Sequence, residues 1–327
     1  FAPLLARCPD ASPRVRFHAA IALGRIGNPS ALNALVQLAR ETKDEDPVLR
    51  HAAIFGLAGT QRPEGLLKLA DDPDVNVRLA AVVALRRHAS PLVARFLAES
   101  NALVQTEAAR AIDDLDLVTA RGDLASLLAL PKLATYDLAR RAINACVREG
   151  ARPELLARHA LSAEADEKTR VEALQRLAEW SNPPSRNAVS CAWRPFDAEA
   201  LATRRAVKLA PVVAGMVDRG ITKAPERVLE AWLKVVEAHS VVEVAPAIAP
   251  LVEAGPPSKV RCAALRALAA VHAPKLREAV QLALADRDGA LRAAALEALT
   301  KVAPEDAHPT AERVLPDGEL AERKAAR

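Results

Sequence analysis

Polar and apolar positions along this chain recur as one repeated phrase. Residues 72–89 read DPDVNVRLAAVVALRRHA, and near-copies stand at 10–23 (DASPRVRFHAAIAL), 44–57 (DEDPVLRHAAIFGL) and 286–299 (DRDGALRAAALEAL). Aligned on their arginines, Arg16, Arg50, Arg78 and Arg292, the copies share further positions. An aspartate lies six residues earlier (Asp10, Asp44, Asp72, Asp286), and a Ser or Asp lies four earlier (Ser12, Asp46, Asp74, Asp288). Val or Leu stands one before, and Leu23, Leu57, Leu85 or Leu299 seven after. The apolar residues fall at i, i+4 and i+8, which is one face of a helix.

The polar residues mark where each helix begins. Ser12, Asp46, Asp74 and Asp288 suit an N-cap, whose side-chain oxygen accepts a free N–H of the first turn. Pro13 and Pro47 then occupy the favoured first helical position. The paired alanines allow a neighbouring helix to come close. A second amphipathic segment precedes each unit, for example ALNALVQLAR at 31–40 and GLLKLA at 65–70. The unit is therefore helix, short turn, capped helix. Weaker copies centre on Gln105, Arg170 and Arg261, and degenerate ones on Tyr136 and Val228. Anchors recur about every 27–34 residues, with one double gap between 170 and 228, a period that signals stacked repeats. The aspartate six before each arginine is within reach of the arginine of its own or an adjacent unit, which predicts a ladder of pairs: Asp10, Arg16, Asp44, Arg50, Asp72, Arg78, Asp286, Arg292.

Composition agrees with helices packed through small side chains. Hydrophobic residues make up 51% of the 327 residues and aromatic ones only 3%, which suits neither a β-sandwich nor a propeller. The net charge of +4 is spread thinly and is weak support for a nucleic-acid partner. Cys8, Cys146, Cys191 and Cys262 lie far apart with no metal-ligand spacing, and Cys146 and Cys262 fall on apolar helix faces as small hydrophobes. The longest apolar stretches are interrupted by Lys208, Pro211, Glu243 and Pro246, which argues against a membrane span. The chain opens inside an apparent helix (FAPLLARC), so the sequence reads as a segment of something longer.

The D-x-[DS]-x-x-[VL]-R-x-x-A-A phrase resembles HEAT repeats, in the short form of about 30 residues also seen in phycobilisome-lyase-type proteins. It is clear over 10–112 and 258–303 and thins between 113 and 257. The resemblance implies an all-α, right-handed superhelical α-solenoid of about nine stacked HEAT-type helix pairs, with the second helices lining a concave surface.

The rhythm breaks at 180–199, WSNPPSRNAVSCAWRPFDAE, where Pro183 and Pro184 end a helix and Trp193, Arg194 and Phe196 gather aromatic and cationic character. This stretch reads either as a docking loop or as a wedge between two blocks of repeats. The expected organisation is block one at 1–179, the loop at 180–199, block two at 200–303, and a polar terminal cap or linker at 304–327. Trp180, Pro183, Pro184, Arg186, Trp193, Arg194 and Pro195 together resemble a segment of very large planctomycete and verrucomicrobial proteins that join a sugar-dehydrogenase-like propeller, a HEAT middle and a c-type haem domain. That resemblance implies a middle segment of an exported or periplasmic redox protein; without it the compartment would be cytoplasmic.

The sequence offers no catalytic, cofactor-binding or metal-ligating set. No histidine lies at i, i+4 from another, and no phosphate loop, dinucleotide fingerprint or nucleophile elbow occurs. Asp113, Asp114 and Asp116 read as a solvated turn. Arg86, Arg87, Arg110 and Arg141, on second helices, are candidate partner-binding cations together with Trp193, Arg194 and Phe196. A basic concave track would also fit a HEAT-like alkylpurine DNA glycosylase, but Glu107, Asp113, Glu179 and Glu297 dilute the charge. A HEAT-type bilin lyase is a third reading. The favoured one is a non-catalytic scaffold whose partners are proteins or neighbouring domains of the same chain.

Overall fold

The structure is a computed structural model that describes residues 1–42, 46–253, 255–317 and 320–325. Asp44 of the expected ladder lies outside the described residues. Two compact units emerge: Phe1–Leu127 with Leu133–Glu149 and Ala188–Cys191, and Leu128–Lys132 with Gly150–Asn187 and Ala192–Arg327.

The first unit contains α1 (Ala2–Leu5), α2 (Pro13–Ile26), α3 (Leu32–Thr42), α4 (Pro47–Thr60), α5 (Pro63–Leu67), α6 (Val75–Arg87), α7 (Ala102–Asp114), α8 (Arg121–Ser126) and α9 (Tyr136–Glu149). The longer second helices α2, α4, α6, α7 and α9 stack on one another in chain order. Their companions are short and partly tightened into 3₁₀ turns, as at Lys68–Asp71 and Pro91–Ala98. The second unit contains α10 (Pro153–Leu161), α11 (Glu167–Ala178), α12 (Ala198–Ala206), α13 (Ala210–Asp218), α14 (Glu226–His239), α15 (Ala245–Ile248), α16 (Ser258–Ala270), α17 (Leu276–Leu284), α18 (Gly289–Val302), α19 (Pro304–Asp317) and α20 (Leu320–Ala325). Here α11, α14, α16, α18 and α20 form the stack. Helix α11 packs directly on α14, so the double gap in the sequence holds inserted chain, not a missing layer. Among the described residues there is no strand, and one isolated β-bridge joins Arg186 and Trp193.

All nine anchor positions fall on second helices, and their apolar partners build the core. Seven residues after the anchors, Leu23, Leu57, Leu85, Ile112, Ile143, Leu177, Val235, Leu268 and Leu299 are all buried. Three residues after them stands an alanine every time: Ala19, Ala53, Ala81, Ala108, Ala139, Ala173, Ala231, Ala264 and Ala295, again all buried. A side chain of one methyl there lets adjoining helices close to native packing density. The position just before the anchor is buried at Leu49, Val77 and Leu291 but exposed at Val15, which lines a hollow with Leu4 and Arg7. The caps form as expected at Asp46, Asp74 and Asp288, whose carboxylates accept from Leu49, Asn76 and Ala290 N–H. Ser12 departs from the pattern. Its hydroxyl makes no capping bond, and its own N–H donates to Asp10.

Candidate functional site

The anchor arginines link each helix pair internally and to the next. Arg16 Nε donates to Cys8 O at 3.2 Å, Arg170 Nε to Ala160 O at 2.8 Å and Arg261 Nε to Val252 O at 3.1 Å. Gln105 does the same through Nε2 to Leu97 O at 2.8 Å, and Arg78 and Arg292 reach Asp72 O and Asp286 O. These carbonyls close the first helix of each pair or the turn after it, where C=O groups lack intrahelical partners and a cation is favoured. In four of them the rest of the guanidinium grips a carboxylate further along the chain. Arg16 pairs with Glu41 at 2.6 Å, Arg78 with Glu99 at 3.1 Å, Arg261 with Asp286, and Arg292 with Glu322 at 2.7 Å.

Three of the aspartates six before the anchors, Asp10, Asp72 and Asp286, each accept two kinds of donor. One oxygen takes the N–H of the capping residue: Asp10 from Ser12, Asp72 from Asp74, Asp286 from Asp288. The carboxylate also meets a cation from earlier in the chain: Arg7, Arg40 and Arg261 respectively. The Ser12 N–H holds the Asp10 carboxyl below its ordinary value, and the Arg261 guanidinium does the same for Asp286. Arg78 therefore meets the backbone of Asp72, while the Asp72 carboxylate goes to Arg40 on α3.

The candidate partner-binding cations do not form one free basic track. Arg86 pairs with Asp114 at 2.9 Å and lies 3.7 Å from Glu107. Arg110 pairs with Glu107 at 2.6 Å, which raises its pKa, and lies 3.9 Å from Asp137. Arg141 is buried, 3.3 Å from Asp137 and 3.6 Å from Asp114. Arg87 differs: it is exposed, and its guanidinium sits 5.1 Å from the Phe55 ring centroid. The acidic cluster is not a solvated turn. Asp113 is buried and accepts from Asn144, Asp114 bridges α6 and α9, and Asp116 holds Arg121. The stacked neighbours α6 and α9 bring cations to these acids, which sequence spacing within α7 alone does not reveal.

In the second unit the aromatic segment divides. Trp180 is fully buried, with the equally buried Arg204 guanidinium 4.2 Å from its ring centroid and Arg204 Nε donating to Trp180 O at 2.9 Å. Phe196 lies across the same guanidinium at 5.3 Å. Arg204, which the repeat pattern does not single out, is the centre of this sandwich. Trp193 instead is 66% exposed, with Arg186 over its ring, and Arg194 is positioned through its N–H to Ser185 O. In the same unit His159 is buried, donates to or accepts from Thr169 Oγ1 at 2.9 Å, and is pushed down to about 4 by burial and by Arg170.

Among the described residues no three His, Cys, Asp or Glu side chains gather so as to hold a metal ion, and no helix is long and apolar enough to cross a membrane. Cys8, Cys146 and Cys262 are buried and Cys191 is exposed.

A family model described as HEAT repeats matches residues 1–58 and 40–113. No curated protein matches the sequence. Among solved structures, an engineered protein aligns over 99% of this chain and 96% of its own at 18% identity, with a TM-score of 0.47. A structure from work on a phosphorylation switch in the cadherin–β-catenin interaction aligns over 99% and 84% at 14% identity and a TM-score of 0.38. At these values neither likeness bears on what the chain does. The fold is all-α, built of stacked helix pairs within each unit, and the match to HEAT repeats covers residues 1–113.

Proposed function

We propose that the chain is a non-catalytic scaffold whose second-helix faces hold protein partners or neighbouring domains. The single observation that carries this reading is how the polar residues are used. The anchor arginines, the aspartates before them and the capping acids are engaged in holding helix pairs together, so what remains for function is an extended surface. HEAT repeats commonly serve as scaffolds for protein interaction. The finer reading, the middle of a large exported redox protein, rests on the Trp180, Pro183, Pro184, Arg186, Trp193, Arg194 and Pro195 pattern. The exposed Trp193 with Arg186 over its ring is the residue of that pattern suited to contact a neighbour.

Site-directed photo-crosslinking tests the scaffold role. A photoreactive residue at His51 or Lys259, on second helices, is expected to capture a defined protein in cells that express the chain. The same group at Gln37 or Arg277, on first helices, is expected to capture far less. Equal capture from both kinds of helix, or none, overturns the proposal.

A further inference from the structure

We infer that the hollow between α1 and α2 docks an acidic amphipathic helix of a protein partner. The inference rests on the scaffold reading and gives it a site and a ligand chemistry. The hollow has a volume of about 700 Å³. Its apolar lining is Leu4, Val15, Ala19, Ile21, Ala22 and Ile26. The remaining lining residues are Arg7, Arg14, His18 and Arg25, with no Asp or Glu among them. Val15 is 37% exposed and Ile26 51%, so apolar side chains face solvent near both ends of α2. Arg7 pairs with Asp10 at 3.1 Å. Arg14 and Arg25 are exposed, and among the described residues no carboxylate lies within ion-pair distance of either.

The repeat shows why this face suits a helix. Helix α4 meets α2 through the positions six and nine after its anchor. A Cβ on Gly56 would stand 3.1 Å from Ala20 O, and one on Gly59 2.2 Å from Gly24 O. The same positions on α2 are Ala22 and Arg25, and both line the hollow. Ala22 lies about 200° around the helix from Ala20, so this surface looks away from α4. Helix α2 therefore carries, on its other side, the positions by which α4 takes a neighbouring helix. Where α4 has Ala52 and Gly59, however, α2 has His18 and Arg25. An occupant must bring carboxylates as well as apolar side chains. Arg14 and Arg25 are three turns apart, about 16 Å along α2. A helix lying along the hollow answers them with acids at i and i+11 and fills the space between with apolar residues at i+4 and i+7, all on one face.

Charge and shape set the other occupants aside. Two copies meeting through this face would bring Arg14 and Arg25 of each against like charge. Nucleic-acid phosphates would answer the arginines but lose hydration against Leu4, Val15, Ile21 and Ile26. An anionic bilayer is flat, whereas the apolar lining runs down to the buried Ala19.

The test is fluorescence anisotropy on the full chain with fluorescein-labelled helical peptides of about 18 residues. The first carries Glu at i and i+11 with Leu at i+4 and i+7. The second has its two Glu moved to the opposite face, the third has Lys for Glu, and the fourth has Ser for Leu. The first is expected to bind saturably and the third not at all, with the second and fourth weaker by at least about tenfold. The double change Arg14→Glu and Arg25→Glu is expected to weaken the first peptide by a similar factor, with unchanged circular dichroism. Replacement of the same two by Gln is expected to weaken it less, and Arg87→Glu on α6 to leave it as it was. No binding of the first peptide, equal binding of the first two, or full affinity in the double Glu variant overturns the inference. So does tighter binding of duplex DNA or of phosphatidylserine vesicles, or self-association of the chain that the double Glu variant abolishes. Failure of the first peptide alongside persistent crosslinks from His51 and Lys259 strikes this site and leaves the scaffold reading standing.

Discussion

Replacing Gly59 by alanine should destabilise the protein, although helix propensity predicts the opposite. Gly59 lies within α4, where alanine is ordinarily favoured over glycine by about 1 kcal/mol. Helices α2 and α4 meet backbone to backbone through glycines. A Cβ on Gly59 would stand 2.2 Å from Gly24 O, 2.7 Å from Gly24 C and 2.8 Å from Gly24 Cα. None of these atoms can rotate away, so the helices must part by about 1 Å along their crossing. Overpacking of a tight core costs about 1–3 kcal/mol and occasionally more. Because the clash is with rigid backbone, the upper end applies at about 3–4 kcal/mol, and subtracting the propensity gain leaves a net loss of about 2–3 kcal/mol. Gly215 is the matched control. It lies within α13, and a methyl added there would meet nothing within 4 Å, so Gly215→Ala should stabilise by about 0.5–1 kcal/mol.

Urea titration separates the two substitutions, since the midpoint shift gives the stability change. Trp180, Trp193 and Trp232 all lie in the second unit. Tryptophan fluorescence therefore follows that unit, and circular dichroism follows both. Gly59→Ala should move the dichroism transition to lower urea, and Gly215→Ala should move the fluorescence transition to higher urea. A Gly59→Ala protein as stable as its parent would refute the close approach of α2 and α4.

His159 should make stability depend on pH. Its folded pKa of about 4 lies below the ordinary 6.5, so its contribution of about 3 kcal/mol is full above pH 6.5 and is lost as pH falls towards 4. Urea midpoints across that window should fall for the parent and flatten for His159→Gln. Arg204→Lys keeps the charge but loses the planar contact between Trp180 and Phe196, and should cost about 2 kcal/mol by fluorescence-detected unfolding. A thiol reagent should label Cys191 rapidly in the native protein and reach Cys8, Cys146 and Cys262 only after denaturation, counted by mass spectrometry.

The fold was legible in the sequence because each repeat writes its own cap, anchor and core residue. The apolar residue seven after the anchor is buried in every copy, including the degenerate ones at Tyr136 and Val228. The alanine three after the anchor holds across all nine units and is the signal that would have strengthened the weaker copies. What the spacing could not show is pairing across units. Asp114 answers to Arg86, 28 residues earlier, and to Arg141 on α9, so a cluster that looks solvated within α7 is a bridge in the stack. Arg204 was hidden for the same reason: its partners Trp180 and Phe196 lie across an irregular segment with no period to extrapolate.

The links between helix pairs also explain why charge is sorted on the first unit's surface. Arg16 and Arg78 find their carboxylates beyond their own helices, and those acids, Glu41 and Glu99, sit at first-helix ends and turns. Each capping acid must stand before its helix, as Asp46 and Asp74 do. Both requirements place acids before α2, α4 and α6, which carry none of their own, whereas α7 and α9 keep Glu107, Asp113, Asp114, Asp137 and Glu149. They do not require Arg14, Arg25 or Arg87, which link no pair and cap no helix. Arg14 and Arg25 line an apolar hollow with Leu4, Val15 and Ile21, and Arg87 lies over the Phe55 ring. Cations in those positions add positive potential to the first unit's surface that no acid of the same helices cancels.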